Sequence, residues 1–244
     1  MQNKRYKFLL FFLILVLISL NYNKLDGFLI KTFDAKETVI VERVIDGDTV
    51  VVNGTSVRLL GINTPEKKEK YYSEAKSFME KNVMNKTLFI ERKGKDLYNR
   101  DLAYLFDGNE NINLKMIESG YANYYFPSGK DNYYTEFFNA WENCEINLCE
   151  KSNDKCASCI ILKKFGYDEN VLIYNQCNFD CDLTEWSVKD EGRKKFIFGN
   201  FTLKKYSEKE ITNEDFGEEY VWTKTGDTIF LRDKGGKLVL WENY

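Results

Sequence analysis

The stretch Val44-Ile45-Asp46-Gly47-Asp48-Thr49-Val50-Val51-Val52-Asn53-Gly54-Thr55-Ser56-Val57-Arg58-Leu59-Leu60 decides how the first half of the chain folds. Its β-branched runs from Thr49 to Val52 and from Ser56 to Leu60 favour extended backbone, as does the run from Thr38 to Val44. Asn53-Gly54 suits a tight hairpin, because both turn positions need positive φ. Three strands therefore follow one another as a meander. Further on, Ala75, Phe78 and Met79 mark a helix over 73–82, and strands are expected from Thr87 to Arg92 and from Asp101 to Phe106. A helix capped by Asn113 and stopped at Gly120 follows, then a last helix from Tyr133 to Glu142. Five strands with a helix inserted after the third is the plan of an OB-fold barrel, which often binds oligonucleotides.

Beyond residue 142 the pattern changes. A polar, cysteine-dense connector over 143–168 reads as a boundary. Short strand-like runs follow at Val171–Tyr174, Leu183–Val188, Phe196–Phe198, Tyr220–Trp222, Thr228–Arg232 and Lys237–Trp241, with no helical period between them. Such spacing predicts a β-sandwich. The organisation expected is an N-terminal segment over 1–30, a barrel domain over 38–142, the connector, and a second domain over 169–244. The fold class is mainly β with some α.

The 244 residues carry a net charge of only −3, so no basic excess drives indiscriminate binding of polyanions. Any polyanion site must be local. Histidine is absent, which removes every Ser-His or Cys-His triad and leaves catalysis to carboxylates, arginine, lysine or a hard metal. Lys4, Arg5 and Lys7 precede an apolar run from Phe8 to Leu20 that reads as an export signal. At ~1.5 Å per helical residue this run reaches roughly 20 Å, short of the ~30 Å hydrocarbon core, and no small-residue cleavage site follows it. Both a cleaved signal and a membrane anchor through residues 8–20 stay open, each placing the bulk of the chain outside the cytoplasm. Six cysteines suit disulfides there. Cys177 and Cys181 are placed so that a disulfide could pin the entry loop of the second domain. The rival is a zinc site from Cys144, Cys149, Cys156 and Cys159.

The chemistry gathers in three segments. Asp46-Gly47-Asp48-Thr49 ends a strand in an acidic turn able to face a cation. Arg58 to Glu66 gives an arginine on a strand, then the oxygens of Asn63 and Thr64 and a carboxylate on the loop. Asp96-Leu97-Tyr98-Asn99-Arg100-Asp101 adds a second arginine. Phosphodiester hydrolysis needs these parts: a cation held by oxygens, a carboxylate to activate water, and planar donors for the transition state. A second Gly-Asp-Thr at 226–228 has no arginine or Pro-Glu partner and reads as a turn.

In order and spacing these segments resemble the staphylococcal nuclease family from about Val39 to Glu142. Glu74-Ala75 and Gly120-Tyr121-Ala122 add to the match. The resemblance implies catalytic roles for Arg58, Glu66 and Arg100, and calcium contacts from Asp48, Asn63 and Thr64, with Asp46 as a further candidate. It also implies nucleotide contact by Tyr98. Tyr124 and Tyr125 are candidates for stacking on bases, with barrel packing as their other role. The implied activity is Ca2+-dependent hydrolysis of DNA and RNA, single strands preferred, to 3′-phosphate ends. Asn63 stands where the best-studied members carry a calcium-ligating aspartate, so weaker calcium binding is expected. The alternative is a catalytically weak OB-fold binding module, or a surface-anchored scaffold. The C-terminal residues Tyr174-Asn175, Asp182 to Asp190, Phe196-Ile197-Phe198, Val221-Trp222 and Gly226 to Asp233 resemble the lamin-tail family, an immunoglobulin-like sandwich with an accessory binding role.

Overall fold

The computed structural model describes residues 37–244, apart from 168 and 169, together with Phe11. The expected signal or anchor over 1–30 otherwise lies outside the described residues. No helix among the described residues is long and apolar enough to cross a membrane. Residues Thr38–Tyr244 form one compact unit.

Strands β1 (Glu37–Asp46), β2 (Thr49–Val52) and β3 (Thr55–Leu59) form the expected meander. Asn53 and Gly54 both take positive φ, 49° and 71°, as a right-twisted two-residue hairpin requires. Short β4 (Gly61–Asn63) leads through a loop to α1 (Tyr72–Val83), then β5 (Thr87–Lys95) and β6 (Asp101–Asp107). The order β3-β2-β1-β5-β6, with β3 also pairing β6 in parallel, closes a five-stranded barrel. Closure leaves no open edge among these strands. The apolar residues Val50, Val52, Val57, Leu59, Leu88, Ala103 and Leu105 fill its core.

After β7 (Glu110–Asn111) comes α2 (Ile112–Glu118). Its N-cap is Asn111, whose side chain accepts from the N–H groups of Asn113 and Leu114. Asn113, the expected cap, is instead buried and ties the barrel shut. It donates to Leu60 O at 2.8 Å and accepts from Leu105 N at 3.1 Å. A capping residue two positions earlier frees this amide for tertiary bonds. Strand β8 (Asn123–Tyr125) pairs antiparallel with β4, and α3 (Tyr134–Glu142) covers that end.

Behind the barrel the sheets are open. Strands β9 (Ile160–Lys164), β10 (Val171–Asn175) and β15 (Glu208–Ile211) make one sheet in the order β15-β10-β9. A second, β13-β12-β16-β17, contains β12 (Ser187–Lys189), β13 (Lys195–Ile197), β16 (Thr228–Arg232) and β17 (Leu238–Asn243). The ribbon β11 (Cys181–Asp182) with β14 (Thr202–Leu203) completes the set. Strand β9 lies inside the stretch read as connector. Leu183–Trp186, expected as strand, is a turn, with Glu185 at φ 64° and Trp186 N donating to Leu183 O. Tyr220–Trp222 forms no strand.

All six cysteines are paired, Cys144 with Cys149, Cys156 with Cys181 and Cys159 with Cys177. The four-cysteine zinc grouping is thus not formed, and Cys177 and Cys181 do not join each other. Both reach back to the residues just before β9, Cys177 from the loop after β10 and Cys181 from β11 of the ribbon. The second core holds Val171, Ile173, Trp186, Val188, Ile229 and Leu231. Phe230 and Leu238, however, belong to the barrel core. Phe230 packs edge-on against Trp141 at 5.3 Å, and Trp241 packs against Tyr124 at 6.1 Å. One face of the second sheet is therefore continuous with the barrel.

Candidate functional site

The barrel end that carries β4 gathers most of the expected residues. Asp48, in the turn between β1 and β2, is buried and accepts from Thr64 N (2.9 Å), Thr64 Oγ1 (2.9 Å) and Thr49 Oγ1 (3.1 Å). Arg58, on β3 opposite Thr49, brings its Nε to 3.3 Å from the same carboxylate. Its other nitrogens donate to Leu59 O and to Asn63 Oδ1 at 3.5 Å. Arg58 is 8% exposed, and its Cζ lies over the Tyr125 ring, 5.7 Å from the centroid. Close approach explains Gly47: a Cβ there would stand 2.7 Å from the Thr64 methyl. Burial and the neighbouring Asp48 raise the pKa of Asp46, with Arg58 opposing them in part.

Asp48, Arg58, Asn63 and Thr64 are thus joined by direct bonds, with Asp46 and Tyr125 beside them. Glu66 lies two residues past Thr64, its N–H donating to Glu69 Oε2 at 2.8 Å. Arg100 and Tyr98 form a separate group. Arg100 Nε donates to Asp96 Oδ2 at 2.7 Å, and its guanidinium lies 5.5 Å from the centre of the Tyr98 ring. Asp96 is held below its ordinary pKa: burial pushes it up, but the bonds from Arg100 and Tyr98 outweigh that. Tyr98 is 80% exposed. Tyr124 is 1% exposed, and its hydroxyl lies 2.6 Å from Thr228 Oγ1. Its ring is packing between barrel and second sheet, which rules out base stacking.

The structure adds what sequence reading missed. The turn between β12 and β13, residues 190–194, sits on this site. Asn63 Nδ2 donates to Glu191 O at 3.1 Å and Gly192 O at 2.8 Å. Arg193 Nε lies 2.7 Å from Glu66 Oε1. Lys189 and Lys195 flank Glu69, at 3.2 and 3.7 Å. Burial pushes Glu69 up, but Lys189, the Glu66 N–H and Lys195 together bring it below its ordinary value. Two carboxylates of this turn, Asp190 and Glu191, are buried together with Asp227. Glu191 is pushed up to about 8 and Asp190 to about 7, in both cases by burial and then by Asp227, which burial also raises. Asp227 belongs to the Gly-Asp-Thr turn at 226–228 and accepts from Thr228 N and Glu191 N. The sequence signal available was the basic tip Arg193-Lys194-Lys195, with nothing to show its place.

The donor set does not fit calcium as bonded. A carboxylate offers about four lone-pair sites, and all those of Asp48 are engaged by Thr64, Thr49 and Arg58. Carbonyls of Glu191 and Gly192 only accept, so the atom of residue 63 that faces them must be the N–H2 of an amide. An aspartate there would set a carboxylate against two carbonyls. Among the described residues no group of three acidic or cysteine side chains is arranged to hold a metal.

The family model described as Staphylococcal nuclease homologue matches residues 56–145. The thermonuclease of Staphylococcus intermedius is 36% identical over 109 residues, which cover 40% of this chain and 65% of that protein. An uncharacterized endonuclease of Haemophilus influenzae is 34% identical over 115 residues, 45% of this chain and 63% of that one. The uncharacterized protein MJ1439 of Methanocaldococcus jannaschii is 35% identical over 150 residues, 47% of this chain and 72% of that protein. The chain belongs to the staphylococcal nuclease homologue family. Its matches span just under two thirds of the thermonuclease and of the endonuclease. The matched residues 56–145 hold Arg58, Asn63, Thr64, Glu66 and Arg100, whereas the turn that covers Asn63 and Glu66 lies outside them.

Proposed function

We propose that this chain is a nuclease that hydrolyses phosphodiester bonds of DNA and RNA, single strands preferred, leaving 3′-phosphate ends. The carrying observation is the buried Arg58, fixed by Asp48 and Asn63 at the end of the barrel, with the carboxylate of Glu66 on the adjoining loop. A guanidinium held rigid in a dry site stabilises charge on phosphoryl oxygens without reorganising. Glu66 takes the proton of the attacking water or orients it. Arg100 serves as a second planar donor, and Tyr98 as a surface on which a base stacks. Family likeness points to calcium as the ion, contacted by Asp48, Asn63 and Thr64 with Asp46 near them. Their present bonds leave too few free oxygens for it, so no step here runs through a metal.

Three disulfides support an extracytoplasmic place for the protein, secreted or held at the membrane by its N-terminal segment. For the C-terminal region, a lamin-tail-like accessory role is supported by two open sheets that share one core around Trp186. The engaged Asp48 and Asn63 favour a second reading, a catalytically weak OB-fold module that binds nucleic acid.

Cleavage of a labelled single-stranded oligonucleotide by the full chain, with calcium, with chelator and with Glu66→Gln, separates the two. Products ending in 3′-phosphate, falling about 10²- to 10⁴-fold in the variant, support the nuclease. Tight binding without cleavage in any divalent metal establishes the binding module.

A further inference from the structure

A cleft of about 90 Å³ opens beside the candidate site, with Thr64 and Arg232 of β16 among the residues that line it. Arg232 is 9% exposed. Its guanidinium donates to Leu148 O, to Gly236 O at 3.2 Å and to Asn123 Oδ1 at 3.4 Å, all of them neutral acceptors. Among the described residues no carboxylate comes within the 4.0 Å of an ion pair; Glu69 and Asp233 act on it from further away. A buried charge without a counter-ion is costly, by several kcal/mol in general. Burial accordingly draws its pKa down to about 10.

Lys70, Lys189 and Lys195 line the same cleft, and the one carboxylate among the lining residues is Glu69. Glu69 lies within ion-pair distance of both Lys189 and Lys195, but its one negative charge is set against four cations, so the cleft as a whole carries an excess of positive charge. At roughly 10–15 Å³ for each water-sized group, the cleft admits a tetrahedral oxyanion and excludes a nucleotide base with its sugar.

We propose that this cleft is a phosphate-binding subsite, recognised by Arg232 and Lys189, that receives a phosphate of the substrate strand next to the one being cleaved. Anion binding stands on the cleft alone; its occupation by a strand phosphate rests on the nuclease reading. The second region would then serve the reaction directly, because Lys189 and Arg232 lie on β12 and β16, neighbours in one sheet at Ser187↔Arg232.

The test is titration of the full chain with inorganic phosphate at constant ionic strength, followed by calorimetry. Saturable binding, weakened tenfold or more by Arg232→Met and by Lys189→Met, is expected. Lys189→Met guards against a folding defect, since Arg232 also anchors backbone carbonyls; a thermal melt checks both variants. A response no different from chloride, or unchanged affinity in Lys189→Met, overturns the site. A second arm measures oligonucleotide cleavage. A raised KM with kcat nearly unchanged in Lys189→Met supports the strand phosphate as ligand. Phosphate binding with an unmoved KM overturns that source and leaves free phosphate. Absence of cleavage by the wild type sinks the nuclease reading but not the phosphate site.

Discussion

In the barrel, strands β1, β2, β3, β5 and β6 close on one another and no cysteine lies among them. In the region behind it the sheets stay open, and two disulfides tie the residues just before β9 to residues after β10. A closed sheet satisfies its own edges and encloses a core of Val, Leu and Ile. Small open sheets bury less apolar surface per residue and gain more from cross-links that restrict the unfolded chain. Fixation by closure and fixation by covalent staple thus lie side by side in one compact unit. They meet at Phe230, Trp141 and Trp241, and again where the turn over 190–194 covers Asn63 and Glu66.

The sharpest way to break this comparison is Phe230→Ala. Removing a buried ring at the seam is expected to cost about 3–5 kcal/mol and to lower protection of both regions together in hydrogen exchange. If only the rear sheets lose protection, the two cores are independent. Next is replacement of Cys156 and Cys159 by Ser, at about 3 kcal/mol for each bridge. Amides of β10 should exchange faster while those of β1 to β3 hold; equal loss in both would show that the staple supports the barrel too.

Asn63→Asp is expected to cost about 1–3 kcal/mol, because two carbonyls lose their donor and face a carboxylate. A thermal melt measures it, and exchange at residues 191–193 should rise. An unchanged melting temperature would mean that the turn is not held by this amide.

The smallest effect is one of pH. Asp190, raised to about 7 in the folded protein against an ordinary 3.8, binds its proton more tightly when folded. Its contribution is therefore fullest below the unfolded pKa and declines as pH rises towards 7. Unfolding at pH 5 and pH 8 should show a loss on the order of 1–3 kcal/mol that Asp190→Asn reduces. An identical pH slope in wild type and variant would refute the assignment.

Much of the barrel was legible because β-branched runs, a Gly-containing turn and helical spacing all pointed the same way. Strands β4 and β8 were not: three residues each leave no period to read, and their pairing joins positions some sixty residues apart. Leu183–Trp186 misled for a related reason, since Leu183 and Trp186, both buried on either side of a turn, look like inward positions of a strand. In the site, Asp48, Arg58, Asn63 and Thr64 could be found because at most sixteen residues separate bonded partners. The contacts of Asn63 with the far turn span 128 and 129 residues. Tyr124 failed as a stacking residue because its place depends on Thr228 and Trp241 across the seam.

By itself the sequence determined the barrel strands, the set of arginines and carboxylates on offer to a site, and the lack of histidine that narrows what such a site can do. Only the tertiary structure decided what those groups touch. Whether Asn63 ligates a metal or holds a turn, and whether Glu66 stands free or meets Arg193, depends on which distant backbone carbonyls and charges arrive beside it. Local preferences set strands and turns over a few residues; partners across more than a hundred are chosen by the packing of two cores against one another.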